Sequence, residues 1–134
     1  AAGRATSADI DRLASHIAAE QTALAAGDIG GSLYLSGEFH VEIARLAGQS
    51  IICAFVASLV SRSSLIIALY WQRREAICDS HAHDDLLRAI AAGDGAGAES
   101  AMAHHLSDLL SSLDLGHPAI PASSLREALT GQRS

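Results

Sequence analysis

Apolar residues recur at helical spacing along most of this chain, and no stretch alternates with period two long enough to read as a strand. Ile10, Leu13, Ile17 and Leu24 make a first stripe, opened by Thr6 or Ser7 as capping residue with Asp9 in the first turn and closed near Gly27. Residues 28–31 read as a short loop. A second helix is expected over residues 32–47, stopped by Gly48 at a natural C-terminal cap position. A third, over residues 50–73, is apolar almost all round, so it belongs at the centre of a bundle or in a subunit interface. After a polar break at residues 72–78, a fourth helix runs over residues 80–92 to Gly93. A fifth, opened by Asp94, runs to about residue 115. The pattern predicts an all-α fold, an antiparallel bundle of about six helices joined by short loops. Residues 1–116 form the bundle. Residues 117–134 form a C-terminal tail with one short helix at residues 123–129.

Three positions break the stripes. Leu35, Phe39 and Leu46 mark one face of the second helix, and His40 runs along the adjoining strip with Ser36, Ile43 and Ala47. His83 shares a face with Leu86, Leu87 and Ile90, and His105 shares one with Ala98, Met102, Leu109 and Leu113. The fourth and fifth helices form a hairpin about Gly93 and Asp94. His83 lies ten positions before Gly93, and His105 lies eleven after Asp94. Both therefore stand roughly 15–17 Å from the turn, level with each other. Neutral imidazoles converging on one spot suit zinc or another borderline divalent metal. Of the other histidines, His81 groups with acidic residues on a polar face, His104 groups with Asp108, and His16 and His117 have no inward companions.

Composition narrows the function classes. Apolar residues make up 49% of the 134 and aromatics 4%, so the core is built from Ala, Leu and Ile. The formal charge of −6, with no Lys anywhere, argues against direct nucleic-acid binding. Cys53 and Cys78 do not suggest a disulfide framework, and Cys53 reads as a buried free thiol. The apolar run over residues 51–60 is too short to span a bilayer and is interrupted at Arg62, which implies no membrane partner and a cytoplasmic location. Arg62 itself falls on the stripe of Phe55, Leu59, Ile66 and Leu69, where a guanidinium needs a partner, either a structural carboxylate or a bound anion.

In its landmarks the chain resembles the effector-binding C-terminal domain of FadR-type (FCD) regulators of the GntR family. These are Glu38-Phe39-His40 followed by Leu46-Ala47-Gly48, then Arg62-Ser63-Ser64, then His83 leading into Leu87-Arg88-Ala89-Ile90-Ala91-Ala92-Gly93-Asp94, and finally Ala98, Met102 and His105-Leu106. The match covers about residues 6–115. The resemblance implies an antiparallel helical bundle that binds a small effector, often a carboxylic acid, and that pairs as a homodimer. It also implies a divalent metal of the zinc or nickel class held by an Asp and three His. The histidines correspond to His40, His83 and His105. Ser36 stands at the Asp position, a departure, since a serine hydroxyl is a weak metal ligand. In the family, operator DNA is contacted by an N-terminal winged-helix domain, for which this chain has no room. Its start resembles the end of the domain's first helix, so that helix is expected to be truncated.

The leading expectation is thus a ligand-sensing domain of a transcriptional regulator, not an enzyme. His40, His83 and His105 would hold the metal, and Arg62 and Ser36 would line the ligand site. Two other readings stand beside it. One is a structural dimerisation bundle with core histidines. The other is a metal-dependent hydrolase, which lacks an inward carboxylate in the pattern because Glu38 and Glu42 face away.

Overall fold

The computed structural model describes residues 1–70 and 80–116. They form five helices: α1 (Ser7–Ala25), α2 (Ile29–Leu46), α3 (Ser50–Tyr70), α4 (Ser80–Ala91) and α5 (Gly95–Ser111). The fold is all-α, as the pattern predicts, with no strand among the described residues. The polar break at residues 72–78, with Cys78, and the short helix expected at residues 123–129 lie outside the described residues.

Local chemistry sets most helix boundaries. Thr6 caps α1 in a reciprocal capping box: its hydroxyl accepts from the Asp9 N–H, while the Asp9 carboxylate accepts from the Thr6 N–H at 2.9 Å. Gly27, Gly48 and Gly93 follow the ends of α1, α2 and α4 with positive φ (76°, 71° and 70°), the left-handed conformation that glycine adopts without steric penalty. At Gly93 the paired bonds Gly93 N–H to Ile90 O (3.0 Å) and Asp94 N–H to Ala89 O (2.9 Å) close the α4 end and reverse the chain into α5.

The expected loop at residues 28–31 is instead the first turn of α2. Asp28 is its N-cap, accepting from the Gly31 N–H at 2.9 Å. A Cβ on Gly31 would stand 2.3 Å from the Asp28 Oδ2, so glycine lets this cap close. Asp94 and Gly97 repeat the device at the start of α5, with the same 2.9 Å bond and the same 2.3 Å approach.

α1 packs on α2 and on α4, α2 packs on α3, and α4 packs on α5. The order across the molecule is therefore α3, α2, α1, α4, α5. The core lies where α1, α2 and α4 meet: Leu13, Ile17, Phe39, Leu86 and Ile90. α3 is an outer helix rather than a central one. Of its side chains only Ile67 is buried, and Ile51 and Phe55 are 85% and 63% exposed. It approaches α2 closely at Gly37, where an added Cβ would stand 2.6 Å from the Val60 Cγ1. Taken whole, α3 is also long and apolar enough, by length and composition, to cross a membrane, with a mean hydropathy of 2.1 and only 6% of that stretch buried, although the apolar run over residues 51–60 alone read as too short. Cys53 on α3 is a half-buried free thiol, not a fully buried one.

Candidate functional site

The three histidines of the broken stripes come together, although their helices stand apart in the packing order. His40 arrives from α2, and His83 and His105 come from the α4–α5 hairpin. Ring centroids are 5.1 Å apart for His40 and His83, 5.3 Å for His40 and His105, and 4.7 Å for His83 and His105. One nitrogen from each lies within 4.8 Å of the others. The hairpin is the reason: its turn at Gly93 and Asp94 puts His83 and His105 at one height, and Phe39, fully buried, sets the floor with its ring 4.5 Å from His83.

Protonation fits this arrangement to a cation. Burial, and then the proximity of His83 and His105, push His40 down to about 3, so its imidazole is neutral at ordinary pH and keeps a lone pair for a ligand bond. His83 is 4% exposed, and its Nδ1–H donates to Glu20 Oε2 at 2.9 Å. That bond fixes the tautomer and leaves Nε2 as the acceptor nitrogen. Nε2 is buried without a hydrogen-bond partner, an arrangement that costs stability unless something occupies the position it faces. A metal-bound histidine whose second nitrogen is held by a carboxylate has the same form. By this test the residues fit a divalent metal: three converging imidazoles, of which His40 is held neutral, an orphaned buried nitrogen, and a carboxylate behind one ring.

The cluster opens onto a cavity of about 700 Å³ between the α2–α3 and α4–α5 pairs, a volume suited to a small organic ligand. Ser36 and Glu20 line it with the three histidines. Arg62 does not. It is exposed on α3 and lines no part of this cavity, although Leu59 of the same stripe does. Glu38 and Glu42 are engaged with Arg45 on the outer side of α2, as their spacing suggested. His81 and His104 are exposed, and His104 lies 3.7 Å from Asp108. His16, for which no inward companion was expected, is half-buried and its Nδ1 has no hydrogen-bond partner.

Glu20 is the site residue that the sequence reading did not find. A signal was present. The α1 stripe of Ile10, Leu13, Ile17 and Leu24 skips a turn, and Glu20 occupies that gap. It is a carboxylate on an otherwise apolar line, the same kind of break that marks the histidines.

Comparison with known proteins gives one finding. The model of the FCD domain matches residues 1–108. No curated protein and no solved structure matches the chain significantly.

Proposed function

The chain belongs to the FCD family, the effector-binding C-terminal domains of GntR-family regulators, and from that premise we propose that it senses a small organic acid through a divalent metal held by His40, His83 and His105. Domains of this family are regulatory rather than catalytic. One observation carries the proposal: the buried Nε2 of His83, unpartnered and aimed by Glu20, beside two further imidazoles. The metal, of the zinc or nickel class, supplies a positive charge on which a carboxylate can rest. Ser36, on the cavity wall at the place of the usual acid, leaves that coordination position to water or to the effector. Binding would bias the geometry of a homodimer and through it the winged-helix domains that contact operator DNA.

Glu20 also bears on the hydrolase reading, since a carboxylate does stand beside the histidines. Its oxygen is engaged with His83 Nδ1, so it orients a ring and is not placed to take a proton from a water. The effector reading is tested by thermal-shift titration of the chain with zinc or nickel, alone and with carboxylic acids, before and after a chelator. Metal is expected to raise the melting temperature, and acids to raise it further only while metal is present. A melting temperature indifferent to both would overturn the reading.

A further inference from the structure

Helix α3 carries an apolar face that the described residues leave uncovered. Its inner side meets α2 at Gly37 and Val60. Away from that contact Ile51, Ile52, Phe55, Leu59, Leu65 and Ile66 are 44–85% exposed, and helical spacing puts them on one side of the helix. Ile52 and Leu59 lie at the edge, where the face turns into the mouth of the cavity. At about 200 Å² for a whole residue of this size, the six present on the order of 700 Å² of apolar surface. The largest apolar patch on a typical monomer is about 300–600 Å². One partner of a standard interface contributes about 800 Å². The face therefore exceeds what a monomer ordinarily exposes and approaches the area that a stable dimer needs.

Charge selects the occupant. The chain carries −6 overall, so two copies repel each other across most of their surfaces. Of the five helices, α3 is the one without an Asp or Glu, and its sole charge is the exposed Arg62. A face of large aliphatic side chains with a Phe, an Arg and no acid has the composition of an interface centre, from which Lys, Asp and Glu are depleted. A two-fold pairing sets such a face against its own copy, so that each apolar surface covers the other. The arginines need not oppose one another. An antiparallel pairing of the two helices centred near Ser58 would keep the Arg62 charges about 12 Å apart along the helices, beyond a Debye length of about 8 Å.

We propose that the outer face of α3 is the interface between two copies of this chain. This rests on the homodimer of the effector reading and gives that dimer a place. Because α3 also lines the cavity, through Ile52, Val56, Leu59 and Val60, whatever fills the cavity bears on the helix that joins the copies. The test is sedimentation velocity of the full chain over about 1–100 µM. The parent is expected to be a dimer. Ile51→Glu with Phe55→Glu is expected to weaken it by roughly 100-fold or more, since each change counts twice across a two-fold axis. Both positions are exposed, so the helical circular dichroism should not change. Leu65→Glu, at the other end of the same face, should also dissociate the dimer and serves should the paired variant lose helix. Leu110→Glu changes an equally exposed leucine on α5 and should leave the dimer intact. A monomeric parent, open-ended aggregates, or a parent that sediments with phosphatidylcholine vesicles instead of pairing would overturn the proposal. So would a dimer that survives the α3 changes, or one that Leu110→Glu dissociates as fully. Zinc binding, measured by competition with a chelating dye, tests the effector reading separately. A parent that pairs through α3 but takes up no zinc would leave the interface standing and remove the metal.

Discussion

Replacing Glu20 by Gln keeps the size of the side chain and removes its charge, which separates orientation of His83 from simple packing. The carboxylate accepts from Nδ1, fixes the ring and increases the basicity of Nε2. Glu20→Gln is expected to weaken metal binding by about 10–100-fold with the helical signal intact, as measured by competition with a chelating dye. Unchanged affinity would show that Glu20 only fills space. The converse change, Ser36→Asp, restores an acid one turn before His40 and should tighten metal binding in the same assay. His40 gives a pH dependence with a definite sign. Its folded value, about 3, lies below the ordinary histidine value of 6.5. Between those limits the unfolded chain takes up a proton that the folded chain refuses. Stability is therefore full above pH 6.5 and falls as the pH drops, by up to ~1.4 kcal/mol per pH unit for one such group. Asp9, also depressed, contributes only below its ordinary 3.8, so urea unfolding of metal-free protein at pH 7.5 and 5.5 isolates the histidines. The loss between those two values should shrink in His40→Asn, and an equal loss in the variant would assign it elsewhere. At this scale the sequence was informative where a polar residue broke an apolar stripe, which found all three histidines. Glu20 obeyed the same rule, but its partner is 63 residues away, and spacing within one helix says nothing of that pairing.

Helices α2 and α3 show what a pattern can and cannot place. The stripe found α2, but its start shifted because Asp28 caps through a glycine-bearing first turn that reads as a loop by composition alone. α3 was legible as a strongly apolar helix. Its place stood between the centre of the bundle and a subunit interface, since a helix apolar on every side carries no periodicity to say which side packs, and only the first is excluded by its exposure. Arg62 shows the same limit: Leu59 of its stripe lines the cavity while Arg62 itself is exposed outside it. Gly37 is the point that fixes α3 against α2. Gly37→Ala gains about 1 kcal/mol of helix propensity, but the new methyl would stand 2.6 Å from the Val60 Cγ1. Relief of that clash requires the Val60 side chain to turn or α3 to move outward, and overpacking of this kind costs about 1–3 kcal/mol. The variant is expected to melt lower than the parent, and Gly37→Ala with Val60→Ala should recover the loss. A single variant as stable as the parent would show that α3 is not held at this contact.

The packing order α3, α2, α1, α4, α5 makes the molecule two pairs of helices joined through α1, with the cavity between the pairs. The core of Leu13, Ile17, Phe39, Leu86 and Ile90 joins them on the α1 side. On the cavity side the three histidines are the meeting point, one from the first pair and two from the second. A metal ion there would connect α2 directly to α4 and α5 and restrain elements far from the ligands themselves. A ligand present at 100 times its dissociation constant adds about 2.7 kcal/mol, which for a chain of this size is a rise on the order of 10 °C in melting temperature. The distribution of that stabilisation distinguishes a clamp from a local site. If metal ties the pairs together, amide hydrogen exchange should slow along α3 and α5, the outermost helices, as well as around His40, His83 and His105. The effect on α3 should be lost in His40→Asn, which removes the α2 ligand and leaves the hairpin pair in place. Slowing confined to α4 and α5 in the parent protein would mean that the hairpin binds metal alone and that α2 and α3 take no part in transmitting the signal.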